Sequence, residues 1–131
     1  MATPEQMTAA VHGYVDAFDK GDPEAAVALF ASDAIVEDPI GTPPKVGHDA
    51  IREFYTASMQ TGAKLRLEGP IRLATEYAAF AFRVELTMEG KSLTVDVIDT
   101  FKFNASTPRI KSRLAIYRSY NSFTPRPPFA P

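Results

Sequence analysis

A chain of 131 residues with 45% hydrophobic and 23% charged residues is the size of one compact domain and holds enough apolar side chain to build its own core. It has no cysteine, which excludes disulfides, thiolate metal ligands and thiol nucleophiles. Its 14 Lys and Arg stand against 16 Asp and Glu, a net charge of -2, with no basic run to track a phosphate backbone, so nucleic acid is excluded as the expected partner. No apolar stretch approaches the ~18 residues of a membrane span, and the first residues are acidic where a leader would be basic, so the expectation is a soluble cytoplasmic protein.

Thr3-Pro4-Glu5-Gln6 reads as a capping box with proline in the first helical turn. Met7, Ala10, Val11, Tyr14, Val15 and Phe18 follow at three- and four-residue spacing, which predicts a helix ending near Lys20-Gly21 with Tyr14 on its buried face. Asp22-Pro23-Glu24 repeats the start signal and predicts a short second helix over 25–31. Ile35 to Asp38 reads as a brief strand stopped by Pro39, which leaves Asp38 at a strand end beside the loop of Gly41-Thr42-Pro43-Pro44. From Asp49 a third helix carries Ile51, Phe54, Tyr55 and Ser58 on one face and stops before Gly62.

After residue 63 the period changes to two. Leu65, Leu67, Ile71 and Leu73 alternate with charged residues, with an irregularity expected at Gly69-Pro70. Phe80, Phe82, Val84, Leu86 and Met88 define the next strand, Glu89-Gly90 turns into Leu93–Phe103, and a last strand runs from about Arg109 to Tyr120. Three helical segments before a mostly antiparallel sheet give an α+β domain over 1–123, with helices covering one sheet face and a pocket between the layers where the sheet curves. The proline-rich segment 124–131 is expected to be an extended arm or disordered.

The most informative anomaly is Asp99. Alternation along Val95-Asp96-Val97-Ile98-Asp99-Thr100-Phe101-Lys102-Phe103 places it on the face of Val95, Val97, Phe101 and Phe103. Desolvation favours the neutral acid there, so its pKa is expected well above the ordinary carboxylate range, unless a register break or a buried arginine makes it an ordinary paired carboxylate. Tyr14 and Tyr55, taken singly, fit core tyrosines whose hydroxyls find partners, and Asp38 fits a turn residue. His12 and His48 stand in no metal-ligand spacing and the acidic residues form no cation loop, so no metal is expected. The chain lacks G-x-G-x-x-G, P-loop and G-x-S-x-G motifs.

Taken together, Tyr14-Val15, the runs 33–39, 51–55 and 79–85, and Asp96-Val97-Ile98-Asp99 occur in the order and spacing of bacterial ketosteroid isomerase. Over about residues 3 to 120 the sequence resembles the Δ5-3-ketosteroid isomerases of the nuclear-transport-factor-2-like superfamily. The resemblance implies a cone-shaped, cystatin-like fold and a homodimer paired through the outer sheet face. It also implies movement of a steroid double bond into conjugation without a cofactor. By residue, it implies Asp38 as general base, Tyr14 and a protonated Asp99 as donors to the carbonyl oxygen, and Tyr55 as support for Tyr14. The donor pair is what the resemblance implies, a Tyr and an Asp kept neutral by an apolar site. The resemblance further matches Phe54, Phe82, Val84, Val95, Val97, Ala115 and Tyr117 to the steroid pocket. Arg113 departs from the pattern, standing where the family carries an apolar pocket residue. Turned inward it would close the pocket, pair with Asp38 or Asp99 and lower that carboxyl's pKa, or favour an anionic ligand. A non-catalytic binder of steroid- or polyketide-like hydrophobes, a nuclear-transport-type adaptor, and a polyketide cyclase or dehydratase are the other readings of such a scaffold.

Overall fold

The computed structural model describes residues 1–121. Helix α1 (Pro4–Lys20) starts at the expected box: the Gln6 amide donates to Thr3 Oγ1 at 3.1 Å and the Thr3 amide to Gln6 Oε1 at 2.9 Å. It ends at Gly21, whose φ of 60° is the left-handed cap that glycine adopts without penalty. Helix α2 (Pro23–Val27) is capped by Asp22, which accepts from the Ala25 amide.

Helix α2 is shorter than its sequence suggests. It gives way to strand β1 (Phe30–Glu37), which begins five residues before Ile35. The cause is non-local: β1 runs parallel to β6 (Ile110–Asn121) with Phe30 opposite Ile110, and the Ile110 amide donates to Leu29 at 2.9 Å. Strand pairing across some eighty residues of chain therefore claims residues that a local reading gives to a helix. A two-residue strand β2 (Lys45–Val46) pairs with β1 and leads into α3 (Gly47–Gln60).

Strands β3 (Lys64–Ala74), β4 (Tyr77–Met88) and β5 (Lys91–Phe103) follow as an antiparallel meander, with the register shift of β3 between Glu68 and Arg72, where Gly69-Pro70 announces it. The six strands form one sheet in the order β2-β1-β6-β5-β4-β3, antiparallel except for β1 with β6. Helix α1 packs on β3 and β4, and α3 on β1 and β2. The long helices thus straddle one sheet face and leave a cleft over the middle strands. Below it lies an aromatic core in which Tyr14 meets Phe101 edge-on at 5.4 Å between ring centroids, and Phe101 meets Phe80 at 4.9 Å. Val97, Asp99, Phe101 and Phe103 are buried and Ile98 exposed, the alternation read from sequence. No helix among the described residues is long and apolar enough to cross a membrane. Segment 124–131 lies outside the described residues.

Candidate active site

The cleft holds a cavity of about 360 Å³, within the ~300–1,000 Å³ usual for small-molecule sites. Its wall is mainly hydrocarbon. Phe54 comes from α3, Phe82 and Val84 from β4, Val95 and Val97 from β5, and Tyr117 from β6. All six were expected there. Phe18, Ser58, Leu65, Leu86, Met88 and Leu93 also line it. Helical spacing from Tyr14 to Phe18 and from Phe54 to Ser58, and two-residue spacing past Val84, were the signals that mark them.

Besides Ser58, Thr61 and Tyr117, the polar groups of the wall are Tyr14, Asp38 and Arg113, which are neighbours: Arg113 hydrogen-bonds Asp38 and its guanidinium lies beside the Tyr14 ring. Tyr14 reaches the wall from the third turn of α1 and Asp38 from the residue after β1. The loop beyond Asp38 is anchored by the Ile40 amide, which donates to Ala115 at 2.9 Å. Ala115 therefore serves through its carbonyl from beneath the pocket, fully buried, and not as the lining side chain that was expected.

Asp99 also lies behind the wall, and Arg113 is what faces the cavity. Pairing of β5 with β6 sets Asp99 opposite Ala115 and Phe101 opposite Arg113, so Asp99 and Arg113 are diagonal neighbours on the inner face, within reach of a long side chain. The guanidinium grips the carboxyl by both edges, Nε donating to Oδ2 at 2.6 Å and Nη2 to Oδ1 at 3.1 Å. From the other side, Nη1 donates to Asp38 Oδ2 at 2.9 Å and to Tyr55 Oη at 3.2 Å. Arg113 is 3% exposed and Asp99 0%, while the Asp38 side chain keeps 15%.

The pKa of Asp99 is raised, as expected from its buried face, but these contacts revise the expectation that it is protonated at neutral pH. Burial pushes its pKa up to about 6, while Arg113 opposes that rise through its charge and its hydrogen bonds. Both oxygens accept N–H groups, the geometry of a carboxylate, so at neutral pH Asp99 is mostly ionised. The sequence left the buried arginine open as one of two readings of Asp99, and the structure realises that one. Burial works against the charge on Arg113 itself, but Asp99, Tyr14, Tyr55 and Asp38 more than offset it and hold its pKa well above the ordinary value.

The tyrosines form a directed chain. Tyr55 receives from Arg113 and donates to Tyr14 at 3.1 Å, so Tyr14 keeps its own O–H for the cavity. Burial raises the Tyr14 pKa well above its ordinary value and that of Tyr55 to about 12, so both remain neutral donors at physiological pH. Tyr117 is raised too, by partial burial and then by the charge of Asp38. Among the described residues no cluster of His, Asp and Glu is arranged to hold a metal ion.

An apolar cavity with a neutral O–H donor, a carboxylate and a clamped guanidinium at one end is the architecture of a small-molecule site on a nuclear-transport-factor-2-like α+β scaffold. The chain matches the SnoaL-like domain family over residues 11–111 and belongs to it. It is 41% identical over 101 residues to a steroid Delta-isomerase from Nocardioides simplex, covering 76% of this chain and 80% of that protein. Among solved structures it is similar to SalBIII, described as an epoxide hydrolase/cyclase-like enzyme with a role in pyran ring formation in the polyether salinomycin. That likeness has a TM-score of 0.83 at 21% identity over 90% of this chain and 95% of that one, and it bears on the fold alone.

Proposed function

We propose that the chain is a cofactor-independent steroid isomerase that moves the double bond of a Δ5-3-ketosteroid into conjugation with the ketone. The observation that carries this reading is the convergence of Asp38 and Tyr14 in one part of a mainly hydrocarbon pocket, in a chain so similar to a steroid Delta-isomerase. A steroid offers the wall mainly hydrocarbon and a ketone oxygen. Asp38 takes the proton from the carbon between ketone and alkene. The C–H electron pair enters the conjugated system, the oxygen becomes a dienolate, and Asp38 returns the proton two carbons away.

Asp38 Oδ2 is held by Arg113, which leaves Oδ1 for the ligand's carbon acid. Tyr14 donates to the oxygen as negative charge develops there, with Tyr55 fixing its orientation. A positioned base is worth typically ~10²–10⁴ in rate and an oxyanion donor ~10²–10³. Phe54, Phe82, Val84, Val95, Val97 and Tyr117 bind the rings and exclude water that would weaken those interactions. A cytoplasmic location goes with this reading, since a cysteine-free sequence is compatible with a reducing compartment. The protein pairs as a homodimer through the outer face of the sheet, where Ile98 and Ile116 lie opposite one another and exposed.

The test is conversion of a β,γ-unsaturated 3-ketosteroid to its conjugated enone, followed by absorbance. The parent turns over, and Asp38→Asn loses ~10²-fold or more in kcat. Turnover untouched by Asp38→Asn overturns the mechanism. A parent that binds the steroid tightly without converting it is a hydrophobe-binding protein, and one that closes a ring on a polyketide-like substrate is a cyclase.

A further inference from the structure

A guanidinium has five N–H groups, and four of those on Arg113 are engaged: Nε and one Nη2 hydrogen on Asp99, and both Nη1 hydrogens on Asp38 and Tyr55. These contacts leave one N–H on Nη2. The residue is 3% exposed and lines the same part of the cavity as Tyr14, whereas Asp99 does not line it. The guanidinium carbon also stands 5.3 Å from the centre of the Tyr14 ring, so the two donors are neighbours.

We propose that Arg113 is a catalytic residue, the second hydrogen-bond donor to the substrate's carbonyl oxygen beside Tyr14, and that Asp99 is a positioning residue that clamps Arg113 and does not touch the substrate. This rests on the isomerase reading and adds to it. The charges favour it. With Asp99 and Asp38 ionised, Arg113 charged and the tyrosines neutral, the cluster carries one net negative charge. Proton transfer from carbon to Asp38 breaks a C–H bond, forms an O–H bond on the carboxyl, and moves that one negative charge to the substrate oxygen. Arg113 touches the site the charge leaves and donates to the site it reaches, so the charge crosses one guanidinium and no water has to reorganise. The same count disfavours an anionic substrate, whose binding would put two net negative charges in a cavity with few polar groups, and selects a neutral ketone.

Asp99→Asn separates the clamp from a direct donor. Asparagine keeps an N–H that could donate to the substrate, but it cannot accept from both edges of Arg113. The clamp predicts a kcat loss of roughly tenfold or more with little change in KM, whereas a donating side chain at 99 predicts a small loss. Arg113→Met is expected to lower kcat by ~10²-fold, as for loss of one oxyanion donor, with Arg113→Lys restoring part of it by charge without the two-edged grip.

Removing a buried charge threatens folding, so thermal unfolding is recorded for each variant and a second readout needs no turnover. The absorption band of a bound conjugated enone moves to longer wavelength when its carbonyl accepts strong hydrogen bonds. The parent should show that shift, Arg113→Lys and Tyr14→Phe each part of it, and folded Arg113→Met no more than the Tyr14 share. Unchanged or improved kcat in Arg113→Met, or an enone band indifferent to residue 113, overturns the proposal. A parent that binds and shifts the enone in an Arg113-dependent way but converts no substrate overturns the isomerase reading and leaves the donor assignment standing. Absence of enone binding overturns both.

Discussion

Asp99 couples the site to pH with a definite sign. Its folded pKa of about 6 exceeds the ordinary 3.8, chiefly through burial, so the folded state binds its proton more tightly than the unfolded chain does. A raised pKa contributes stability that is fully present below the unfolded value and is lost as pH rises through the folded one. Each unit is worth about 1.36 kcal/mol, so the parent is expected to gain about 2–3 kcal/mol over Asp99→Asn between pH 7 and pH 4. Denaturant unfolding of both proteins at the two pH values measures the difference, and a gap that shrinks on acidification contradicts it. Activity moves the other way, because protonating Asp99 releases one edge of Arg113. How much of this was legible follows from distance along the chain. The two-residue period of β5 places Asp99 inward without help from elsewhere. Whether it meets a partner depends on Arg113, fourteen residues away on β6, and alternation across a register unknown in advance cannot fix which way Arg113 turns.

At the scale of elements, local signals determined what depends on local chemistry. The capping box of α1 is complete, and removing it with Thr3→Ala is expected to cost ~1 kcal/mol of stability. Tyr14 lies about three turns further on, packed against Phe18, Tyr55 and Phe101, so kcat should stay within about twofold of the parent. A lowered melting temperature with preserved turnover is the expected pair of results, and a large fall in kcat would mean that the helix start sets the position of Tyr14. The start of β1 was less legible because its fate is decided by Ile110 on a strand far away in sequence. Strand β2 is two residues long, too short for any period to register. Both missed segments flank the stretch that ends at Asp38, so its address at a strand end was readable while the full length of the strand that carries it was not.

For the whole molecule, the two sheet faces have separate tasks. The inner face carries the aromatic core, the cavity and the Asp38–Arg113–Asp99 cluster, all built from one chain. On the outer face Ile98 and Ile116 face each other across β5 and β6 at 52% and 60% exposure, with Ala81 of β4 opposite Ile98. The homodimer proposed above would cover these side chains. With pairing through this face, a carboxylate placed at its centre would meet its own copy across a two-fold axis, two like charges in a desolvated contact. Ile116→Asp is therefore expected to sediment as a monomer at micromolar concentrations where the parent is a dimer. Because the described cavity residues all lie on the inner face, the folded monomer should keep turnover per chain within about threefold. A parent that is itself monomeric at those concentrations removes the pairing, and a dissociated variant without activity shows that the partner subunit holds the cleft in its working shape.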